Sequence, residues 1–323
     1  MDAQYIHGAD QNAPVNPENT LLVLPHLTGQ DEVSLSEWLA ERRPMVRKIV
    51  YETDDDVFTE DRLQHLKDAN FLQGKTEDEI RAEQRVARWL VTQVDAVTVS
   101  TEPLAALVRT LTNRPVHCIP NALDVRWFRA HMTYRTPWAD TLTIGWAGGR
   151  RSERDIVPMA RAWGKIAKRY PEVRFVTAAP TTLTAIYRYV PENRVLRLPW
   201  LGLDDYPIAY QTSIGCCSVR DTPFNRCRSP IKAWEYAIAG AAVVATPTVY
   251  GDCMRGGTAE PEIAETADDW EAALSRLIED ESLRAQVPVF MREHVMAHHD
   301  LDAQVTRWSD TYREIALGSA VTA

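Results

Sequence analysis

Short apolar runs alternate with amphipathic stretches along almost the whole chain. Thr20 to Leu24, Arg47 to Tyr51, Ala96 to Ser100 and Val116 to Ile119 read as strands in the first part. Leu142 to Ala147, Val173 to Ala178, Val195 to Leu198, Ile214 to Val219 and Ala242 to Thr246 follow in the second. The stretches between them carry a helical period. In Ile156 to Tyr170, for example, Ile156, Met159, Trp163 and Ile166 fall on one face. Strand–helix alternation predicts parallel sheets covered by helices on both faces, the α/β class. The last pattern, Asp302 to Leu317, lines up Val305, Trp308, Tyr312 and Ile315 and needs a surface to dock on.

A length of 323 residues suggests about two domains at roughly 150 residues each. The best boundary is His131 to Asp140, a polar stretch holding Pro137 that precedes a fresh strand-to-glycine turn. We therefore expect domains at 1–128 and 129–300, with 301–323 a C-terminal helix packing back on the first. Charge differs across this boundary. The first 128 residues hold 13 basic and 21 acidic side chains, whereas residues 129–323 hold 23 and 24. The overall charge of −9 argues against a general nucleic-acid binder, which needs clustered Lys and Arg.

No basic start followed by an apolar run opens the sequence, and Tyr236 to Ala245, its longest nearly apolar stretch, falls short of the roughly 20 residues that span a bilayer. The five cysteines (Cys118, Cys216, Cys217, Cys227 and Cys253) form no Cys-x-x-Cys spacing. They read as reduced thiols of a cytoplasmic protein, with no zinc site. His294, His298 and His299 lie at helical spacing without an acid or Cys at ligand distance in sequence, so a polar helix face is the better reading than a metal site.

Two segments of the second part suit an anion. In Ile144 to Asp155 a strand runs into Gly148-Gly149, then Arg150, Arg151, Ser152 and Arg154, then a helix. Glycines let backbone N–H groups approach a phosphate, and a helix start favours negative charge. In Asp221 to Gly240, Ser229 followed by Pro230 reads as a helix start and Gly240 as its stop. Lys232 falls in the first turn, where a cation opposes the helix dipole unless an anion joins it. Glu235 shares its face, three residues on.

Ser229 to Thr246 resembles the donor-site segment of GT-B nucleotide-sugar glycosyltransferases, above all the retaining group called family 4. Gly145 to Asp155 is similar to the first strand–turn–helix of that family's donor domain. Val116 to Phe128, with its Pro-Asn-Ala, is similar to its interdomain segment. The resemblance covers roughly residues 90–317. It implies two Rossmann-like domains facing a central cleft, the N-terminal acceptor-side one abbreviated, and transfer of a sugar from a nucleoside diphosphate sugar to a hydroxyl-bearing acceptor. It implies that Lys232, with Arg150, Arg151 or Arg154, holds the diphosphate and that Glu235 holds the ribose. Asn225, Arg228 and Ser229 would line the sugar-phosphate end, with backbone at Gly148 and Gly149. The family's second Glu, eight residues before Glu235, is replaced here by Cys227, and Ser152 stands where relatives often carry His.

In the first part, one strand ends at Pro25-His26 and another at Glu52-Thr53-Asp54-Asp55-Asp56. Carboxylates at a strand's carboxyl end can bind acceptor hydroxyls or take a proton. That makes His26, Asp54 and Asp55 acceptor-side candidates, and Asp55 and Asp56, with Lys232, catalytic ones. The same acids also suit an acid-rich helix start. They resemble the metal-binding Asp-x-Asp of the GT-A architecture too, but Lys232 and Glu235 have no place in that scheme, so no metal or other cofactor is expected. A non-catalytic nucleotide- or glycan-binding protein of the same fold and an enzyme acting on modified DNA are the rival readings, and an epimerase a lesser one.

Overall fold

A computed structural model describes residues 18, 20–25, 31–72, 74–132, 140–149, 152–178, 184–251 and 261–318. The chain forms two compact units. The first comprises Met1–Leu63, Lys75–Pro120 and Val305–Ala323, the second Gln64–Gly74 and Asn121–Gln304.

The first unit is built on four parallel strands in sequence order: β1 (Leu21–Pro25), β2 (Lys48–Thr53), β3 (Ala96–Val99) and β4 (Val116–Cys118). Ile49, Val50 and Tyr51 of β2 are fully buried, as a strand covered on both faces requires. The Glu77–Gln93 helix starts with a capping box in which Thr76 and Glu79 satisfy each other's backbone N–H. From Val305 on, the C-terminal helix Leu301–Leu317 belongs to this unit. Ile315 joins Val50 and Ala96, with Val23 and Tyr312 against them. Tyr312 donates to Glu52 Oε2 at 2.8 Å, and Arg47 donates to the Ala316 carbonyl. Val305, the first member of the predicted stripe, stays exposed, so the stripe is buried only towards its C-terminal end.

The second unit carries six parallel strands: β5 (Thr143–Ala147), β6 (Arg174–Ala178), β7 (Val195–Leu198), β8 (Ile214–Cys217), β9 (Ala242–Ala245) and β10 (Glu262–Ile263). Their spatial order is β10-β9-β8-β5-β6-β7. The nine runs read from the sequence are all strands. The tenth, β10, is two residues long and too short to stand out as a run. The α/β reading with two parallel sheets holds. Trp163, Trp234 and Trp270, all fully buried, fill the second unit's core. Among the described residues no helix is long and apolar enough to cross a membrane.

Two glycines make a close approach possible. Gly145 of β5 and Gly215 of β8 are in register and therefore share a face. A Cβ on Gly215 would lie 2.3 Å from the Tyr236 ring, and one on Gly145 would lie 2.4 Å from Thr212 Cγ2. The Ile231–Ala239 helix, which carries Tyr236, thus lies closer to the sheet than any side chain at 215 would allow. Gly215→Ala is expected to destabilise the protein by about 1–3 kcal/mol, the usual cost of overpacking a filled core. Chemical denaturation checks this; a loss below about 0.5 kcal/mol would show that the ring can move aside.

Candidate functional site

From β5 the chain winds outward through β6 to β7, and from β8 it winds the other way through β9 to β10. Loops leaving adjacent strands β5 and β8 therefore diverge, and in open parallel sheets ligands bind in the crevice this reversal opens at the carboxyl edge. Both anion-suited segments of the sequence leave from these two strands.

After β5, the Gly148 N–H donates to the Ala178 carbonyl at 3.0 Å. A Cβ on Gly148 would meet the Trp146 ring at 2.9 Å, while space is open around Gly149. Arg150 and Arg151 lie outside the described residues. Ser152 is buried and caps the Glu153–Arg169 helix by accepting from the Arg154 N–H at 3.2 Å. Arg154 is exposed and Asp155 is buried.

After β8, Ser218 Oγ donates to the Asp155 carbonyl, tying the two diverging loops together. Thr222 caps a single turn, Pro223–Arg226, by accepting from the Asn225 N–H at 3.1 Å. Asn225 is fully buried; its Nδ2 donates to the Arg220 carbonyl at 3.0 Å, and its Oδ1 has no partner among the described residues. The Arg228 guanidinium lies 5.6 Å from the centre of the Phe224 ring. Cys227, at the position of the missing Glu, is buried. Although early in the sequence, Gln64–Gly74 is held in this unit: His65 stacks on Phe224 at 4.4 Å, and Asp68 pairs with Arg220 at 2.7 Å.

The following helix starts one residue later than the sequence suggests. Pro230, not Ser229, is its N-cap, and no side chain caps it. Ser229 Oγ instead accepts from Asn121 Nδ2 at 3.0 Å. Gly240 ends the helix in the left-handed region, φ 88°, where a side chain would be strained.

Lys232 and Glu235 sit on this helix in different environments. Lys232 Nζ donates to Tyr210 Oη at 3.2 Å. Glu235 is 3% exposed. Its Oε1 accepts from Tyr206 Oη at 2.5 Å, and its Oε2 is buried without a partner among the described residues. Tyr206 and Tyr210 come from the 3-10 helix Leu203–Tyr210, and their hydroxyls are 2.6 Å apart. Burial pushes the Glu235 carboxyl above the usual carboxylate range, against the pull of the Lys232 charge and the tyrosine hydroxyls. Neither tyrosine was among the sequence candidates. Their spacing of four reads as ordinary core packing, and only the fold brings them to Glu235.

In the first unit, Asp54, Asp55 and Asp56 follow β2. Asp56 is buried, and its carboxylate accepts from the Phe58 and Thr59 N–H groups and from the Thr59 hydroxyl. It shapes the turn into the Glu60–Asp68 helix. Burial raises its pKa, opposed by those same hydrogen bonds. The Asp55 carbonyl accepts from Thr53 Oγ1 at 2.9 Å, and the Asp54 carbonyl accepts from Ser100 Oγ at 3.2 Å. His26 lies outside the described residues. His299, one of the three clustered histidines, stacks on Trp234 at 3.8 Å.

The two parallel-sheet α/β units, together with the solved structures they superpose on, show a GT-B fold. No protein-family model matches the chain, and no curated protein matches it. Solved structures do. Sucrose-phosphate synthase from Thermosynechococcus elongatus superposes with a TM-score of 0.63 at 12% identity, over 93% of this chain and 74% of that one. A mutant of S. aureus TarM in complex with fondaparinux, alpha-GlcNAc-glycerol and UDP gives 0.63 at 11% identity, over 92% and 56%. An E. coli trehalose-6-phosphate structure bound with UDP-2-fluoro glucose gives 0.58 at 15% identity, over 90% and 72%. The chain thus spans little more than half of TarM.

The buried carboxyl makes a testable pH signature. With its folded pKa raised above the ordinary 4.5, Glu235 holds its proton more tightly in the folded than in the unfolded chain. Its contribution to stability is therefore full below the unfolded value and is lost as pH rises through the folded one. Glu235→Gln removes this titration. The variant's melting temperature, taken relative to that of the wild type, should therefore rise between pH 5 and pH 8. A difference that does not change with pH would refute the assignment of the buried charge.

Proposed function

We propose that the chain is a nucleotide-sugar glycosyltransferase, that its second unit binds the donor, and that transfer proceeds with retention as in family 4. One observation carries the reading: at the carboxyl edge of a doubly wound sheet, Lys232 stands in the first turn of a helix that no side chain caps, and Glu235, buried with one carboxylate oxygen unpartnered among the described residues, stands one turn deeper. A cation there opposes the helix dipole, and a bound anion reverses that penalty. A diphosphate supplies the anion, and a ribose hydroxyl supplies the donor that Glu235 Oε2 lacks. The likeness to solved structures that hold UDP and UDP-2-fluoro glucose supports this ligand class.

In this reading Lys232 and Arg154 stabilise the charge that develops on the leaving diphosphate. This is electrostatic catalysis by groups already in place before the reaction. Gly149, with open space above it, lets the diphosphate approach the backbone, and Arg228 and Asn225 face the sugar-phosphate end. Acceptor hydroxyls are assigned to Asp54 and Asp55, because Asp56 spends its carboxylate on the turn beside them. Attack of the acceptor hydroxyl on the face from which the diphosphate leaves forms the new glycosidic bond. The hydroxyl proton passes to the departing phosphate oxygen.

Lys232→Ala and Glu235→Ala should each weaken donor binding about 10- to 100-fold, the loss of one charged hydrogen bond of about 1.5–3 kcal/mol. Titration calorimetry against UDP-, GDP-, ADP- and TDP-sugars checks this, with circular dichroism to establish that the fold survives. Both variants binding donor like the wild type would remove the site from these residues.

A further inference from the structure

Arg220 was not singled out by the sequence, and the nucleotide reading does not use it. It lies three residues beyond β8, in one of the two loops that diverge at the strand reversal. Its position is fixed from three sides. Asp155, fully buried in the first turn of the helix that follows β5, accepts from both the Arg220 N–H at 3.2 Å and its Nε at 3.0 Å. Asn225 Nδ2 holds the Arg220 carbonyl at 3.0 Å. Nη2 donates to Asp68 Oδ2 at 2.7 Å. Nη1 makes no hydrogen bond among the described residues. The side chain is 29% exposed, so the guanidinium is a partly buried, oriented group and not a solvated arm.

The partners of this arginine are unequal. Asp155 is inside the protein and reaches Nε, the end of the guanidinium nearest the backbone. Asp68 comes from the segment Gln64–Gly74, remote in sequence, and takes the outer nitrogen. Its other oxygen accepts from the exposed Gln64 side chain at 2.8 Å. The Asp68 carboxyl lies below its usual range, chiefly because of the Arg220 hydrogen bond and with help from the positive charge of Arg154. A carboxylate drawn by Arg220 and Arg154 together occupies the same electropositive place that an external anion would seek. Two carboxylates share this guanidinium, and only Asp155 is wholly closed off from solvent. The buried one suffices to orient it, and the outer one is exchangeable for another anion of bidentate geometry.

We propose that Arg220 is a further phosphate-binding residue of the donor site, oriented by Asp155, and that Asp68 is the intramolecular anion which a bound diphosphate displaces. The proposal rests on the nucleotide reading for the identity of its ligand, and its test separates the two. Asp155 is a positioning residue here: it touches Arg220 and not the ligand.

The variants are Asp68→Asn and Arg220→Lys in the full chain, titrated calorimetrically with UDP, with uridine and with pyrophosphate. Asp68→Asn keeps the shape of the side chain and removes its charge. It should bind UDP and pyrophosphate about 3- to 10-fold more tightly than the wild type, with uridine unchanged. A merely structural Asp68 would give no such gain. Arg220→Lys keeps the charge that Asp155 needs but loses the fork. It should bind UDP and pyrophosphate about tenfold more weakly, again with uridine unchanged. Diphosphate affinities of both variants within twofold of the wild type, or weaker binding by Asp68→Asn, overturn the proposal. Pyrophosphate bound in an Arg220-dependent way without any nucleoside diphosphate sustains it while removing the nucleotide reading. UDP binding that ignores both substitutions does the reverse.

Discussion

The seat of the Tyr236 ring on Gly215 is the contact on which the second unit's chemistry depends. A bare backbone at 215, in register with another at 145, lets the helix carrying Tyr236 sink onto β8. Tyr210 then packs edge-on against Tyr236 with ring centres 4.9 Å apart, and Tyr206 against Tyr210 at 5.3 Å. This run of aromatic rings ends at the carboxyl of Glu235, the residue next to Tyr236. The depth of the helix, set by an absent side chain, is what buries the acid. A shallower helix would bury Glu235 less.

Charge in this unit follows the strand reversal. Arg154, Asp155 and Arg220 stand on the two loops that β5 and β8 send in opposite directions, and Lys232 opens the helix beyond the second. Two of these cations are held in place: Arg220 by Asp155 and Asp68, Lys232 by the Tyr210 hydroxyl. Long cationic side chains lose rotamer freedom when they bind a ligand. Groups already held lose less, which is why pre-positioned arginines and lysines bind anions better than the same residues on an open surface.

Much of this was legible in the sequence because it rests on local chemistry. Nine strands could be read because buried parallel strands are short apolar runs, and Gly240 because a left-handed stop favours glycine. Ser229 misled because a serine before a proline reads locally as a cap, whereas its hydroxyl is engaged by Asn121, 108 positions away. Tyr206, Tyr210, Asp68 and Arg220 were invisible for the same reason. Each matters only through a partner brought near by tertiary folding, and nothing in their own neighbourhood in sequence marks them. Asp56 shows the opposite case. Its local role, shaping a turn into a helix, is what adjacent acids most often do, and the three aspartates in a row concealed that they are not equivalent.

Unsatisfied buried oxygens complete the physical account. Asp155 Oδ2, Asn225 Oδ1 and Glu235 Oε2 are all buried without a partner among the described residues, and all belong to the segments that follow β5 or β8. An acceptor left without a donor costs about 1–3 kcal/mol, and more when it is charged. A fold chosen for stability alone would replace such groups with apolar ones of the same shape. Tyr51 and Thr98 of the first unit and Tyr236, Ser275 and Gln304 of the second also bury an oxygen without a partner among the described residues, so what sets Asp155, Asn225 and Glu235 apart is their place on the segments that follow β5 and β8, beside Arg220 and Lys232.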